Sequence, residues 1–207
     1  MTHPTPIFDG HNDVLLRLMH KGDHASGAKA FLEGTDKGHL DLPRARAGGF
    51  TGGLFAVFCP PIERAASVEE LMRGETYDIP LPTGLALTDA QQAAIAMIAG
   101  LFRIERSSKG AVRICRNAAD IDCAAVSGAL AAVLHIEGAE PIDADFRMLD
   151  ILYQAGLRSI GPVWSRSNIF GHGVPFRFPS SPDTGPGLTD AGKALVKACN
   201  ELKVLID

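Results

Sequence analysis

Six short apolar segments alternate with segments that have the periodicity of amphipathic helices, and this alternation restricts the fold more than any other feature. The predicted strands are residues 6–8, 50–58, 112–115, 131–136, 157–163 and 203–206. The segment 131–136 is apolar on both faces, as is typical of a strand covered by helices. The alternation therefore favours an α/β fold with a parallel sheet and helices packed outside it.

The segments between the strands include four predicted helices and two long irregular stretches. The helices are predicted over residues 13–20, 88–106, 145–156 and 189–202. Thr88, Asp145 and Thr189 are the predicted N-terminal capping residues, because each comes directly before an apolar stripe. Residues 60–87 and 164–187 are rich in Pro and Gly, and loops this long are uncommon unless they serve a site. In parallel α/β barrels such sites lie on the loops that follow the strands.

Length and charge exclude several classes of protein. A chain of 207 residues can bury a substantial core. Its formal net charge of −4, with acids and bases interspersed, argues against a nucleic-acid partner. No apolar run is long enough to cross a bilayer, so no membrane association is expected. Residues 1–13 are polar and lack the sections of a signal peptide. The four cysteines form no C-x-x-C pair and are predicted to be free thiols, which favours the reducing cytoplasm.

Two candidate metal ligands follow the first predicted strand, in the segment Asp-Gly-His-Asn-Asp at residues 9–13. On an extended backbone, residues two apart point the same way, so His11 and Asp13 are predicted to converge on one cation. A neutral imidazole and a carboxylate suit Zn²⁺, Mn²⁺ or Co²⁺. Asp9 is a candidate second-shell residue that would orient His11 as a hydrogen-bond acceptor. Alone, a His-x-Asp triplet is a weak signal, because most such triplets are exposed turn residues.

A glutamate ends the most apolar predicted strand, in His135-Ile-Glu137-Gly138. A carboxylate at this position costs desolvation free energy unless it is paired or ligates a cation. The two oxygens of Glu137 could bridge two metal ions, as in two-metal hydrolases. The alternative is a salt bridge to Arg158 or Arg166, which the spacing alone favours slightly. His135 is predicted to pack beside the site or to support a ligand from the second shell.

Five segments together resemble the membrane (renal-type) dipeptidase family of zinc peptidases, in its bacterial branch. They are Asp9–Asp13, His39–Arg44, Gly48–Gly49, His135–Gly138 and Gly187–Gly192, and their order and spacing match from about residue 6 to the end of the chain. The resemblance implies a (β/α)8 TIM-type barrel of the metallo-dependent hydrolase kind. This chain would supply about the first six strands as a single domain, residues 1–207, that is incomplete at its C-terminus.

The resemblance also implies a zinc-dependent dipeptidase that hydrolyses L,L or L,D dipeptides with two zinc ions. His11 and Asp13 would hold one zinc, and Glu137 would bridge both as the catalytic residue while a metal-bridging hydroxide attacks the peptide carbonyl. In the family, two histidines that follow the sixth and seventh strands hold the second zinc. They would lie beyond Asp207, with a Ser-His pair expected directly after it, so the 207 residues alone are expected to be inactive.

The resemblance places Trp164 where many family members carry a histidine that polarises the substrate. Three substrate-binding candidates follow: Trp164 as a pocket wall or packing residue, Arg166 as the partner of a substrate carboxylate or of a salt bridge, and His172 as a replacement imidazole. A small dipeptide is the expected partner, and a homodimer is compatible with the pattern. Two other functions stay open. One is a different amidohydrolase on a related barrel, which would usually open with His-x-His, and the other is a silent scaffold.

Overall fold

The computed structural model describes residues 5–19, 24–61, 68–181 and 183–207. Its strands are β1 (Ile7–Asn12), β2 (Phe50–Phe58), β3 (Tyr77–Ile79), β4 (Val112–Ile114), β5 (Leu130–Glu137), β6 (Leu157–Gly161), β7 (Phe176–Phe178) and β8 (Leu205–Ile206). Its helices are α1 (Val14–Met19), α2 (His24–Glu33), α3 (Leu42–Ala47), α4 (Val68–Leu71), α5 (Leu87–Ser107), α6 (Ala118–Ser127), α7 (Arg147–Ala155) and α8 (Asp190–Leu202). Among the residues described, a helix with the length and apolarity needed to span a membrane is absent.

Six of the strands form one curled parallel sheet. Five of them follow the order β1-β2-β5-β6-β8, and the sixth, β4, pairs with β5 outside this order. Helices cover its outer face, so the predicted fold, part of a (β/α) barrel, is confirmed. The sixth strand, β4, pairs with the first residues of β5, whereas β6 pairs with its last residues. Because β2 already occupies the other edge of β5, β4 and β6 share one edge. The predicted third strand therefore forms, but it does not lie between β2 and β5.

The two faces of β5 have different partners. Leu130, Ala132, Leu134 and Ile136 belong to the main core with the outer helices. Ala131 and Val133 point the other way and pack in a second cluster that includes Ala124 of α6. Side chains alternate along a strand, so His135 and Glu137 continue this second face. They therefore lie on the inner face of the curled sheet, at its C-terminal end.

The two long segments that interrupt the alternation meet each other. β3 lies in the first segment and β7 in the second, and they form a separate antiparallel pair with Tyr77 opposite Phe178 and Ile79 opposite Phe176. An ion pair between Arg177 Nε and an Asp78 oxygen, at 3.0 Å, joins the same two strands. The sequence did not predict this small sheet. It fixes both segments at the end of the barrel where the strands terminate.

One of the three predicted helix caps is confirmed. Thr189 Oγ1 accepts a hydrogen bond from the backbone amide three residues later, at 3.0 Å, at the start of α8. Thr88 is already inside α5, which begins at Leu87 without a side-chain cap. Asp145 is exposed and pairs with a neighbouring arginine. In its place Asp143 Oδ1 accepts a hydrogen bond from the backbone amide of Met148, in the first turn of α7, at 2.8 Å.

Candidate metal centre

The three predicted metal ligands meet at one rim of the sheet. β1 and β5 flank β2, and all three run parallel, so their C-terminal ends lie together. His11 Nε2 lies 3.5 Å from Asp13 Oδ1 and 3.5 Å from Glu137 Oε2. One potential ligand atom from each residue lies within 4.8 Å of the other two. Side chains separated by more than a hundred positions are thus gathered at spacings that one cation could fill.

Glu137 is half-buried and has no arginine or lysine partner among the described residues. Burial raises the pKa of its carboxyl, the nearby His11 opposes this shift, and the Asp13 carboxylate adds to it. The two arginines proposed as salt-bridge partners are engaged elsewhere. Arg158 donates to backbone carbonyls near the start of β6, and Arg166 pairs with Glu140. The salt-bridge interpretation of Glu137 is therefore wrong.

His135 lies directly beneath the rim and is fully buried. Its Nδ1 is 2.9 Å from Ser159 Oγ, and its ring meets that of His11 edge to face, with centroids 5.2 Å apart. Burial lowers the pKa of His135, and the neighbouring His11 lowers it further. Its Nε2 is buried without a hydrogen-bond partner in the described part of the chain. The residue is thus a fixed imidazole with one free nitrogen at the centre.

Asp207 is a site residue that the sequence analysis missed. Its Oδ2 lies 3.8 Å from His135 Nε2, and a second group of potential ligand atoms within 4.8 Å comprises His11, His135 and Asp207. The backbone amide of Asp207 donates to Ile160 O at 2.9 Å, which holds it at the end of β8. A signal was available, because Asp207 directly follows a predicted strand and parallel strands end at the same rim.

Asp9 contacts Asn12 in the structure, and its role in orienting His11 stays a prediction. Its Oδ2 accepts a hydrogen bond from Asn12 Nδ2 at 3.0 Å, rather than from the His11 ring. The same Asn12 nitrogen lies 3.1 Å from Leu54 O on β2. The β1–β2 register is irregular between Asp9 and Asn12, which is why the alternation expected of a regular strand fails here. Asp9 and Asn12 together attach the end of β1 to β2.

Of the two alternatives for Arg166, the structure shows the salt bridge. Its side chain is buried, and its Nε lies 3.0 Å from Glu140 Oε1. A second guanidinium nitrogen donates to the backbone oxygen of Cys59, and the group lies over the Phe58 ring at 5.5 Å. These contacts favour the salt-bridge alternative, and substrate binding by Arg166 stays a prediction.

Trp164 and His172 occupy different positions on the loop that follows β6. The Trp164 ring contacts Phe58 and Phe176 edge to face, at centroid distances of 5.4 and 5.5 Å, and remains partly exposed. His172 is exposed, its backbone amide donates to Gly187 O at 3.1 Å, and it belongs to neither group of potential ligands. Its role as a replacement imidazole stays a prediction.

The donor set decides what the rim can do chemically. An imidazole and two carboxylates suit Zn²⁺ and related divalent ions, and a carboxylate with two free oxygens can span two of them. Glu137 pays a desolvation cost that no arginine or lysine of the described residues offsets, and a divalent cation would offset it. The residues present therefore fit a metal centre better than a structural salt bridge.

Comparison with known proteins identifies close relatives. Residues 1–207 match the family described as membrane dipeptidase, peptidase family M19. The solved dipeptidase AC, a metallo peptidase of family M19, is 47% identical with a TM-score of 0.91, over 98% of this chain and 57% of that chain. A metallo peptidase from Rhodobacter sphaeroides, solved with a phosphinate mimic of the dipeptide L-Ala-D-Ala, is also 47% identical, with a TM-score of 0.92 and the same coverage.

A relative known from sequence gives the same proportion of lengths. A protein of Acinetobacter calcoaceticus, described as an uncharacterized protein in the PQQ-III 3′ region, is 40% identical over 202 residues. The match covers 98% of this chain and 62% of the relative. The chain thus spans about three-fifths of the length of these three relatives.

Proposed function

This chain belongs to the membrane dipeptidase family, peptidase family M19, and we propose from that membership that it is a zinc-dependent dipeptidase. Its substrates would be L,L or L,D dipeptides, and the reaction would be hydrolysis of their one peptide bond. The observation that carries the proposal is the meeting of His11, Asp13 and Glu137 at one rim without an arginine or lysine partner in the described ranges. The solved relative that holds a phosphinate dipeptide mimic supports the same substrate class.

The proposed ligands divide between two zinc ions. His11 and Asp13 would hold one ion, and Glu137 would reach both through its two oxygens. When bound, zinc supplies a Lewis acid for the peptide carbonyl and a water of lowered pKa. The fit rests on the donor types, on atoms that lie within 4.8 Å of one another, and on a desolvated carboxylate that needs a cation.

The other residues of the rim would hold these ligands in place. Asn12 fixes the end of β1 through its contacts with Asp9 and with β2. Ser159 fixes the His135 ring, which packs against His11 and limits the positions that the His11 imidazole can take. Such supporting contacts keep metal ligands in orientation and strengthen binding. Asp207 lies within reach of His135 and would help to set its orientation.

We extend the proposal to the domain organisation, the cellular compartment and the oligomeric state. Residues 1–207 would form a single barrel domain, and the activity would belong to the complete site. Free thiols, with Cys59, Cys115 and Cys199 buried, are consistent with a reducing cytoplasm. A homodimer stays a prediction, and sedimentation velocity would test it.

Metal analysis with matched variants tests the proposal most directly. We expect the protein to bind zinc, and His11→Ala and Glu137→Gln each to reduce the zinc content and to abolish any hydrolysis of L,L and L,D dipeptides. His39→Ala and Glu201→Gln change exposed residues of the same types that belong to neither group of potential ligands, and should leave the zinc content unchanged. Zinc content that is equal in all four variants would contradict the proposed site. Turnover of N-acyl amino acids but not of dipeptides would favour a different amidohydrolase.

A further inference from the structure

An aromatic residue lies beside the metal centre on the neighbouring strand. Phe58 is the last residue of β2 and is in register with Glu137, the last residue of β5. Neighbouring strands are about 4.8 Å apart, and residues in register on parallel strands point to the same face. Phe55 and Val57 belong to the outer core, so Phe58 faces inward, as Glu137 does. The ring of Phe58 therefore borders the proposed metal centre.

Two further rings extend this border away from the metal centre. The Trp164 indole meets Phe58 at an interplanar angle of 83° and Phe176 at 80°, so a ring edge supports it on each of two sides. The backbone oxygen of Trp164 accepts a hydrogen bond from Val174 N at 2.9 Å. Phe176 in turn lies in β7, which β3 holds in place. Below we call Phe58, Trp164 and Phe176 the aromatic wall.

The indole is fixed and yet exposed. Trp164 retains 44% of its accessible surface among these 207 residues, although three contacts hold it. The Arg166 guanidinium lies over Phe58, and its charge is neutralised by Glu140. The aromatic wall therefore presents a mainly apolar surface to a ligand side chain. An aromatic face held rigidly next to a metal centre is suited to an apolar ligand group.

We propose that the aromatic wall is a subsite for an apolar side chain of the dipeptide. This inference rests on the proposed function, because the peptide carbonyl must lie at the metal centre for a side chain to reach Trp164. The substrate class is then narrower than dipeptides in general: those with an aliphatic or aromatic side chain are preferred over those with glycine or a charged residue at the same position. Trp164 acts as a specificity-determining residue and takes no part in proton transfer, since an indole has no basic nitrogen.

The fluorescence of the protein reports this contact directly, because Trp164 is its one tryptophan. The probes are two phosphinate dipeptide mimics that differ at one position, a leucyl and a glycyl side chain, added to the zinc-loaded protein. We expect the leucyl mimic to shift the emission to shorter wavelength and to protect the indole from acrylamide quenching, and the glycyl mimic to do so much less. Equal responses to both mimics, or no response while calorimetry records binding, would overturn the subsite.

Variants separate a subsite from a structural role of the indole. Trp164→Ala should weaken binding of the leucyl mimic, measured by calorimetry, by roughly 10- to 100-fold and leave the glycyl mimic nearly unchanged, because a lost hydrophobic contact affects one ligand only. Trp164→Phe should restore most of the affinity. Phe178→Ala, an exposed ring on the same strand as Phe176 that contacts Tyr77, is the matched control and should affect neither mimic.

The outcomes also separate the subsite from the function on which it rests. Zinc-dependent binding of both mimics, with equal losses in Trp164→Ala, would overturn the subsite alone and leave the proposed function standing. Failure of both mimics to bind the zinc-loaded protein with its complete site would overturn the proposed function and the subsite together. Circular dichroism of each variant identifies a loss of folding, in which case the Trp164→Phe result decides.

Discussion

Two glutamates at the C-terminal end of β5, three residues apart, have opposite charge environments. Glu140 lies in the loop after the strand, is almost fully buried, and pairs with the buried guanidinium of Arg166 at 3.0 Å. Glu137 lies at the strand end, is half-buried, and has His11 Nε2 at 3.5 Å from one of its oxygens. Burial raises the pKa of Glu137, and three nearby carboxylates, Asp13, Asp207 and Glu140 itself, add to the shift. One carboxylate is neutralised by the fold, whereas the other is left with surplus negative charge.

The fold neutralises Glu140 with an arginine of its own, whereas Glu137 has no arginine or lysine partner among the described residues. A buried carboxylate that serves structure needs an opposite charge and hydrogen bonds, and Glu140 has an arginine that also ties down the end of β2 through Cys59 O. At Glu137 an arginine would remove the need for a cation. The arginine that could have served there is engaged by Glu140, which keeps the rim free for metal. The predictions below test this division of roles.

The largest effect is expected from breaking the structural pair. Arg166→Met leaves Glu140 buried without its cation, and the free energy of unfolding should fall by roughly 3–5 kcal/mol. Urea denaturation measures the change. Adding Glu140→Gln to the same variant removes the uncompensated charge and should recover a large part of the loss. A loss below about 1 kcal/mol in Arg166→Met would contradict the structural role of the pair.

The opposite result is expected at the rim. Glu137→Gln removes a desolvated charge, so the metal-free protein should be as stable as the parent or slightly more stable. With zinc at about 100 times its dissociation constant, the parent should gain roughly 2.7 kcal/mol that the variant does not gain. Urea denaturation with zinc and with a chelator gives both numbers. If Glu137→Gln destabilises the metal-free protein by as much as Arg166→Met does, the two glutamates are alike and the comparison fails.

A third carboxylate, Asp41, extends the comparison to the outer layer. It caps α3, is buried, and accepts hydrogen bonds from Arg44 and from Thr35 N. Burial alone would raise the pKa of Asp41, but these hydrogen bonds outweigh it and hold the pKa below its usual 3.8. Asp41→Ala should therefore cost about 2 kcal/mol at pH 7.

The pH dependence of this stabilisation follows from the sign of the shift. A carboxyl whose pKa is lower in the folded state stabilises the fold above its unfolded pKa, and this contribution is lost as pH falls through the folded pKa. The stability difference between the parent and Asp41→Asn should thus be constant from pH 7 to 5 and shrink below about pH 4. A difference that grows on acidification would show that the Asp41 contacts do not favour its ionised form.

Particular elements show how much of this the sequence could predict. β2 was predicted with both of its ends correct and β5 to within one residue, because each is a predominantly apolar run between polar or glycine-containing segments. The meeting of His11, Asp13 and Glu137 followed from parallel strands that end at one rim. The pairing of β3 with β7 was missed, since it joins short segments about a hundred residues apart and local pattern carries no information on such partners.

The charged side chains were the hardest to place. Spacing along the chain allowed Arg166 to reach Glu137, Glu140 or a substrate, and the choice depends on where the loop after β6 folds back over β2. Asp207 became a site residue through the curl of the sheet, which brings β8 close to His135. Helices α2, α3 and α6 lie at sequences rich in alanine, whose weak apolar periodicity did not indicate a helix.

The smallest expected effect concerns the thiol next to the Glu140–Arg166 pair. Burial raises the pKa of Cys59 to about 12, and Glu140 raises it while Arg166 lowers it. A guanidinium free to act on this thiol would lower its pKa, so a reactive Cys59 would indicate that Arg166 is not committed to Glu140. Burial likewise raises the pKa of Cys115 and Cys199 to about 11 each, whereas Cys123 is exposed.

Thiol labelling of the native protein at pH 8 therefore tests the Glu140–Arg166 pair through the reactivity of Cys59. We expect one fast-reacting thiol per chain with a disulfide reagent and four after unfolding in guanidinium, the fast one being absent from Cys123→Ser. Arg166→Met should not make Cys59 react as a thiolate, because removing the nearby cation raises its pKa further. A second fast thiol in the parent, assigned to Cys59, would mean that Arg166 lowers the pKa of that thiol. Glu140 would then lack a dedicated cation, as Glu137 does.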